Sequence, residues 1–317
     1  MSLQLPNAEE RSNDSPSREA PFVSVIVPVY NDPAGIRTTL DALTAQSYGA
    51  YEVLVVDNYS TDETREVAAE YADRVEHVSV LDERRRQGSY AARVRGIRHA
   101  EGDVLAFIDA DMTVDADWLD RAVETMREDD LDYVGCRVEL YTEGEESLLA
   151  TYNRLNGFPV DSYVSELQFA PTCCLLVRRE VVETIGPFDP RFVSSGDREF
   201  GQRVAAAGFD IGLAEDVRMY HPTRTTLDSL VSKAVRIGRG KHQLRQYYPD
   251  RYGHPLVLPF YPGLYTPPPP GGMDDTLQEW ERLDTSVKCL FYLFTYALKL
   301  ASAYGTVREA AETALNR

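Results

Sequence analysis

Within the first 110 residues, short apolar runs alternate with stretches of helical period, and that alternation leaves few folds open. Phe22 to Val29 and Glu52 to Asp57 are runs of strand length, Val78 to Leu81 is a shorter one, and Val104 to Ile108 follows Gly102. Between them, Pro33 to Gln46 places Ile36, Leu40 and Leu43 at helical spacing. Ser60-Thr61-Asp62-Glu63 has the residues of a helix cap, and Ser89 to Ala100 reads as a further helix. Strand and helix alternating at this spacing predict an α/β fold, a mostly parallel sheet flanked by helices on both faces.

Ligands of open sheets bind outside the carboxyl ends of the strands, so the residues that follow each run are the candidates for chemistry. The run Val104-Leu105-Ala106-Phe107-Ile108 ends in Asp109-Ala110-Asp111. Two carboxylates at one strand end repel unless a hard cation such as Mg²⁺ or Mn²⁺ sits between them and a ligand, usually a phosphate. Asp57 closes the second run, where a carboxylate can accept hydrogen bonds from a base or ribose, and Tyr30 can stack on a flat ring. Their plainer roles are a capping aspartate and a turn tyrosine. The first run continues as Pro28-Val29-Tyr30-Asn31-Asp32 with no G-x-G-x-x-G, which argues against a nicotinamide or flavin site.

Composition sets the surroundings. The chain has 317 residues and a formal net charge of -18, which argues against a nucleic-acid partner. Its only lysines are Lys233, Lys241, Lys288 and Lys299, so arginine carries nearly all the positive charge. Abundant acid with so little lysine is the surface expected of a protein kept soluble at very high salt, and a halophilic archaeon is the expected source; an acidic protein of a GC-rich genome is the alternative. Cys136, Cys173, Cys174 and Cys289 lack C-x-x-C spacing and read as buried thiols of a reducing compartment. Residues 1–20 contain no apolar stretch, so a disordered tail and no secretory signal are expected.

Taken in order, these residues resemble the family 2 inverting glycosyltransferases, which use the GT-A fold. The pieces are Val25-Ile26-Val27-Pro28-Val29-Tyr30-Asn31, Val55-Val56-Asp57-Asn58-Tyr59-Ser60-Thr61-Asp62, Gly88-Ser89-Tyr90-Ala91-Ala92-Arg93-Val94-Arg95-Gly96-Ile97 and Phe107-Ile108-Asp109-Ala110-Asp111, with weaker continuation through Gly186-Pro187-Phe188-Asp189 and Gly196 to Arg203. The resemblance implies that Pro28, Tyr30, Asn31 and Asp57 line the nucleoside pocket and that Arg93 lies near the nucleotide. Asp109 and Asp111 would hold a divalent cation against a nucleotide-diphosphate sugar, a UDP-sugar in the first instance, with Asp111 the better direct ligand. Asp197 corresponds to the aspartate of the family's E-D pair, the candidate general base, though it is also placed to cap a helix. His221 falls where related enzymes carry a histidine near metal and diphosphate; a structural histidine is the plainer role. Arg236-Ile237-Gly238-Arg239-Gly240-Lys241, with Arg239 as the candidate contact, reads as a basic loop able to close over the diphosphate, or as a solvated loop or membrane-facing patch.

The sequence also departs from the pattern. A-R-N reads Ala92-Arg93-Val94, and E-D reads Gly196-Asp197. Q-x-x-R-W is absent, so transfer of a single sugar is expected. Three parts are expected: a tail over 1–20, a GT-A domain over 21–240 and a helical C-terminal extension over 241–317. The extension opens with the linker Tyr265 to Gly272 and carries an apolar helix over 287–304. Interrupted by Lys288 and Lys299, that helix is expected to pack on the domain or lie at a membrane surface, with a homodimer contact as a further option. A membrane-proximal helix suits a lipid-linked glycan acceptor at the cytoplasmic face, in surface glycosylation. Two rivals are a haloacid dehalogenase-type phosphohydrolase, with Asp109 as nucleophile, and a non-catalytic sugar-nucleotide-binding protein.

Overall fold

The first strand forms because seven consecutive residues able to lie in a pleated, doubly covered interior meet a turn at Tyr30: β1 (Val23–Val29) is buried at every position. In the computed structural model, residues 20–268 and 278–315 are described. The expected tail therefore lies outside the described residues except for Ala20, as does the second half of the proline-rich linker.

The first half follows the sequence pattern closely. α1 (Pro33–Leu43), β2 (Tyr51–Asp57), α2 (Thr64–Ala72), β3 (Val78–Asp82), α3 (Ser89–Ile97) and β4 (Val104–Phe107) succeed one another. β1 pairs in parallel with β2 and β4, and β2 with β3. Then come β5 (Thr113–Val114), α4 (Trp118–Glu128), β6 (Tyr133–Tyr141), α5 (Leu148–Asn156), α6 (Val160–Leu167), β7 (Leu175–Arg178), α7 (Arg179–Ile185), α8 (Gly196–Ala206) and β8 (Ile211–Pro222). The sheet order is β3-β2-β1-β4-β7-β6-β8-β5. β7 runs antiparallel to both β4 and β6, and β8 lies parallel to β6, so β6 and β8 point the same way as β1, β2 and β4. His221, near the end of β8, thus comes to the same sheet edge as Tyr30, Asp57 and Asp109.

The C-terminal part is helical, as expected, but differs in its details. α9 (Leu227–Tyr247), α10 (Pro249–Tyr252), α11 (Gln278–Arg282) and α12 (Thr285–Leu315) follow. The domain boundary expected after residue 240 falls inside α9, and the supposed loop Arg236 to Lys241 is helical. Its glycines serve helix packing: a Cβ at Gly238 would lie 1.8 Å from the carbonyl oxygen of Ser302, and one at Gly305 2.1 Å from that of Val235. Thr306 Oγ1 donates to the Gly238 carbonyl at 2.9 Å, clamping α12 on α9. The apolar helix expected over 287–304 is longer than foreseen. It buries Phe291, Ser302, Ala303, Gly305, Thr306 and Glu309 and leaves Leu290, Leu293, Leu300, Tyr304 and Val307 exposed. No helix among the described residues is long and apolar enough to cross a membrane.

Candidate active site

The turns after β1 and β2 are stapled to each other. Asn31, at φ +48°, donates its backbone N–H to Ser60 Oγ at 3.0 Å and accepts from the Thr61 N–H at 2.8 Å. Asp32 caps α1 through the Gly35 N–H. The side-chain oxygen of Asn31, expected to face a nucleotide, is thereby engaged in holding the two turns together. Tyr30 beside it is half exposed, its ring free to stack, and Pro28 is buried in β1 opposite Val56.

Asp57 is fully buried at the end of β2. Its Oδ2 accepts from Arg84 Nη2 at 2.5 Å, while Oδ1 has no partner among the described residues. A buried carboxylate oxygen without a donor is costly unless a ligand supplies one, and a base N–H is a suitable donor. Arg84, which also lies over the Tyr59 ring, was not singled out from the sequence. Only the fold shows that this arginine of the Arg84-Arg85-Arg86 run turns back to the strand end.

Beyond β4, the two acidic residues separate in role. Asp109 Oδ1 accepts from Arg93 Nη2 at 2.5 Å, and that arginine is almost wholly buried. Asp111 Oδ1 stands 3.7 Å from His221 Nε2. The other ring nitrogen, Nδ1, lies 2.7 Å from the Pro222 carbonyl and donates to it, which turns Nε2 toward Asp111. Burial pushes the Asp111 carboxyl above its ordinary value; His221 and Arg224 pull it down, and Asp109 and Asp32 push it further up. Asp111, His221 and residues 222–226 with Ser229 line an open pocket of about 250 Å³.

One wall of this region is cationic. Arg224 follows β8, its N–H donating to Asn153 Oδ1 at 2.7 Å, and burial together with Arg236 lowers its pKa against the pull of Asp111 and Asp109. Lys233 of α9 is pushed down to about 8 by burial and by Arg224 and Arg236, with its ammonium 4.7 Å above the Phe158 ring. Of these cations, Arg224 and Lys233 were not picked from the sequence, and Arg236 only as a member of the segment Arg236 to Lys241. The residue picked singly, Arg239, faces away: its Nε lies 2.6 Å from Glu309 Oε2 and its Nη2 3.3 Å from Glu312 Oε2, both on α12. Arg239 is thus spent on tying α9 to α12, whereas Arg236 lies close enough to Arg224, Lys233 and Asp197 for its charge to act on all three.

Asp197 sits in the first turn of α8, after Ser195 at φ +65°. Its Oδ1 accepts from the Arg198 N–H at 2.8 Å, and its own N–H donates to Tyr90 Oη at 3.2 Å. Burial raises its pKa, opposed by the Arg198 N–H, Arg93, Arg236 and Tyr90. A part-buried carboxylate held above its ordinary pKa is suited to accept a proton.

No group of three or more acidic, histidine or cysteine side chains able to hold a metal occurs among the described residues. Asp111 and His221 nonetheless fit a cation whose remaining ligands are diphosphate oxygens and water, since both turn a ligand atom into one pocket. Asp109, held by Arg93, is not placed as a third ligand.

An α/β sheet with acidic residues and a cationic wall at one carboxyl edge is suited to a phosphate-bearing ligand with a cation. The sequence profile of glycosyl transferase family 2 matches residues 24–186. Glycosyltransferase AglE of Haloferax volcanii is 38% identical over 226 residues, 71% of this chain and 74% of that one. The uncharacterized glycosyltransferase YibD of Escherichia coli is 36% identical over 117 residues, 37% of this chain and 34% of its own. Among solved structures, mannosyltransferase PcManGT from Pyrobaculum calidifontis, in complex with GDP-Man and Mn²⁺, superposes with a TM-score of 0.62 at 19% identity, covering 92% of this chain and 88% of that one. S. aureus TarS 1-349, in complex with UDP-GlcNAc, gives 0.52 at 21% identity over 68% and 66% of the two chains. The fold is GT-A. The chain belongs to glycosyl transferase family 2, and it is a glycosyltransferase.

Proposed function

We propose that this chain moves one sugar, with inversion, from a nucleoside-diphosphate sugar to a hydroxyl of a lipid-linked glycan. The observation that carries the donor half is the convergence on one sheet edge of Asp57, with its unpartnered buried oxygen, the Asp111–His221 pair and the cations Arg224, Lys233 and Arg236. Support also comes from the two solved relatives of like fold, one holding GDP-Man with Mn²⁺ and the other UDP-GlcNAc.

The nucleoside sits between Tyr30 and Asp57, and its diphosphate runs toward Asp111 and the cationic wall. Asp197 takes the proton of the acceptor hydroxyl as that oxygen bonds to the anomeric carbon from the face opposite the diphosphate. The bond from that carbon to the diphosphate oxygen breaks in the same step, so the configuration inverts. Arg224, Lys233 and Arg236 meet the charge that collects on the leaving diphosphate. A divalent cation held by Asp111 and His221 would neutralise the same charge when bound.

Calorimetric titration in molar KCl, suited to so acidic a chain, tests this with UDP and GDP, each with and without Mn²⁺. Tight binding of one diphosphate only when Mn²⁺ is present is the expected result and identifies the base. A folded protein that binds neither would return weight to a non-catalytic role.

The acceptor half is supported by the outward stripe of α12, where Leu290, Leu293, Leu300 and Tyr304 recur at helical spacing and remain exposed. Phe260 and Tyr261 of the preceding 3₁₀ turns add to the same kind of surface. The protein should float with vesicles of archaeal-type ether lipid, and Leu293→Glu with Tyr304→Glu should release it. Self-association without vesicle binding would instead make the stripe a dimer contact and remove this support for a lipid carrier.

A further inference from the structure

The E-D pair of the family reads Gly196-Asp197 here, and the structure accounts for the glycine. A Cβ at residue 196 would lie 2.9 Å from Cζ of Tyr90 and 3.0 Å from both of its Cε atoms, so the tyrosine ring fills the space a longer side chain would need. Tyr90 is 5% exposed. Its ring packs 5.9 Å from that of Phe188, with the Arg93 guanidinium 5.6 Å from its centre, so its hydroxyl has little freedom to swing away. That hydroxyl accepts the Asp197 backbone N–H at 3.2 Å and stands close enough to the carboxylate to favour its charged form.

We propose that Tyr90 is a positioning residue for Asp197, its phenol taking over in this chain the support lost where glycine replaces the glutamate. The role presupposes that Asp197 is the general base. A buried phenol suits it, because burial and the Asp197 charge both hold the Tyr90 proton in place, so the group donates a hydrogen bond and does not compete as an acid. With the Asp197 backbone held by the phenol and Oδ1 by the Arg198 N–H, the other oxygen is left for the acceptor. Tyr90 and Arg93 lie three residues apart on one face of α3. Arg93 grips Asp109 at the donor end while Tyr90 grips Asp197 at the acceptor end, so one helix turn registers both halves of the site.

The test is Tyr90→Phe, which keeps the ring and removes the hydroxyl. Nucleoside diphosphate with Mn²⁺ should bind as in the parent, showing the donor site intact. The rate at saturation should fall about 10- to 100-fold, the scale of one hydrogen bond to a charged group. The acid limb of the pH profile should move up by about one unit, since the carboxylate loses a donor that favours its charged form. The other groups acting on Asp197 are the charges of Arg93 and Arg236 and the Arg198 N–H, with Tyr133 and Tyr163 also close, and all are unchanged in this variant. A fluorinated tyrosine at position 90, a stronger O–H donor, should move the limb down. If both variants keep the parental limb and rate while Asp197→Asn is inactive, Tyr90 does not position the base. If Asp197→Asn is itself active, the base assignment fails first, and the two failures are told apart.

Discussion

Asp197→Asn should bind nucleoside diphosphate with Mn²⁺ as the parent does and yet transfer sugar at least about 10²-fold more slowly, the usual contribution of a positioned general base. Asparagine keeps the size of the side chain and its acceptor oxygen for the Arg198 N–H, so α8 should retain its first turn. What it lacks is a lone pair basic enough to take a proton. The parent should show an acid limb above the ordinary carboxylate range, because burial raises the Asp197 pKa. As pH falls through that value, Asp197 protonates and can no longer accept, so the rate drops. The slow residual activity of the asparagine variant should have no such limb. Full activity in the variant would remove Asp197 from the mechanism, unless the acceptor proves to be an ionised phosphate that needs no base. Steady-state rates against pH, with donor affinity measured separately, separate these cases.

The sequence was most informative where burial and chemistry coincide. β1, β2 and β4 are apolar on both faces because helices cover both sides, so their runs are continuous and their ends abrupt, and Asp57, Asp109 and Asp111 stand at those ends. Antiparallel β7 was not foreseen: four residues, Leu175–Arg178, give too short a run to separate from its surroundings. Arginine partners were equally hidden. Arg84 reaches Asp57 across 27 residues and Arg93 reaches Asp109 across 16, contacts that no local pattern encodes. In α9 the two glycines suggested a phosphate loop, yet Gly238 meets the backbone of Ser302 and Gly240 that of Ser194, at distances only glycine allows. A signal for the cationic wall did exist. Lys233 is one of four lysines in a chain that otherwise uses arginine, and it stands three residues before Arg236, on the same helix face.

Asp111→Ala should abolish the gain in nucleoside-diphosphate affinity that Mn²⁺ confers and, with it, turnover. Of the two acidic residues after β4, Asp111 is the one that shares a pocket with the free Nε2 of His221, whereas Asp109 is committed to Arg93. Asp109→Asn should therefore keep a Mn²⁺-dependent component of binding, since no ligand oxygen is lost from the pair. Stability gives an independent check. Burial raises the Asp111 pKa above its unfolded value, so this carboxylate opposes folding once pH exceeds the unfolded pKa, and the opposition is absent at lower pH. At neutral pH the metal-free alanine variant should melt no lower than the metal-free parent, while Mn²⁺ with nucleotide should raise the melting temperature of the parent alone. A residue kept for the fold would behave in the opposite way, lowering the melting temperature when removed and leaving the response to Mn²⁺ unchanged. Loss of metal-linked stabilisation without loss of intrinsic stability is the signature of a side chain retained for its ligand, and it would tie the Asp111–His221 pair to the donor diphosphate by a route that does not depend on measuring catalysis.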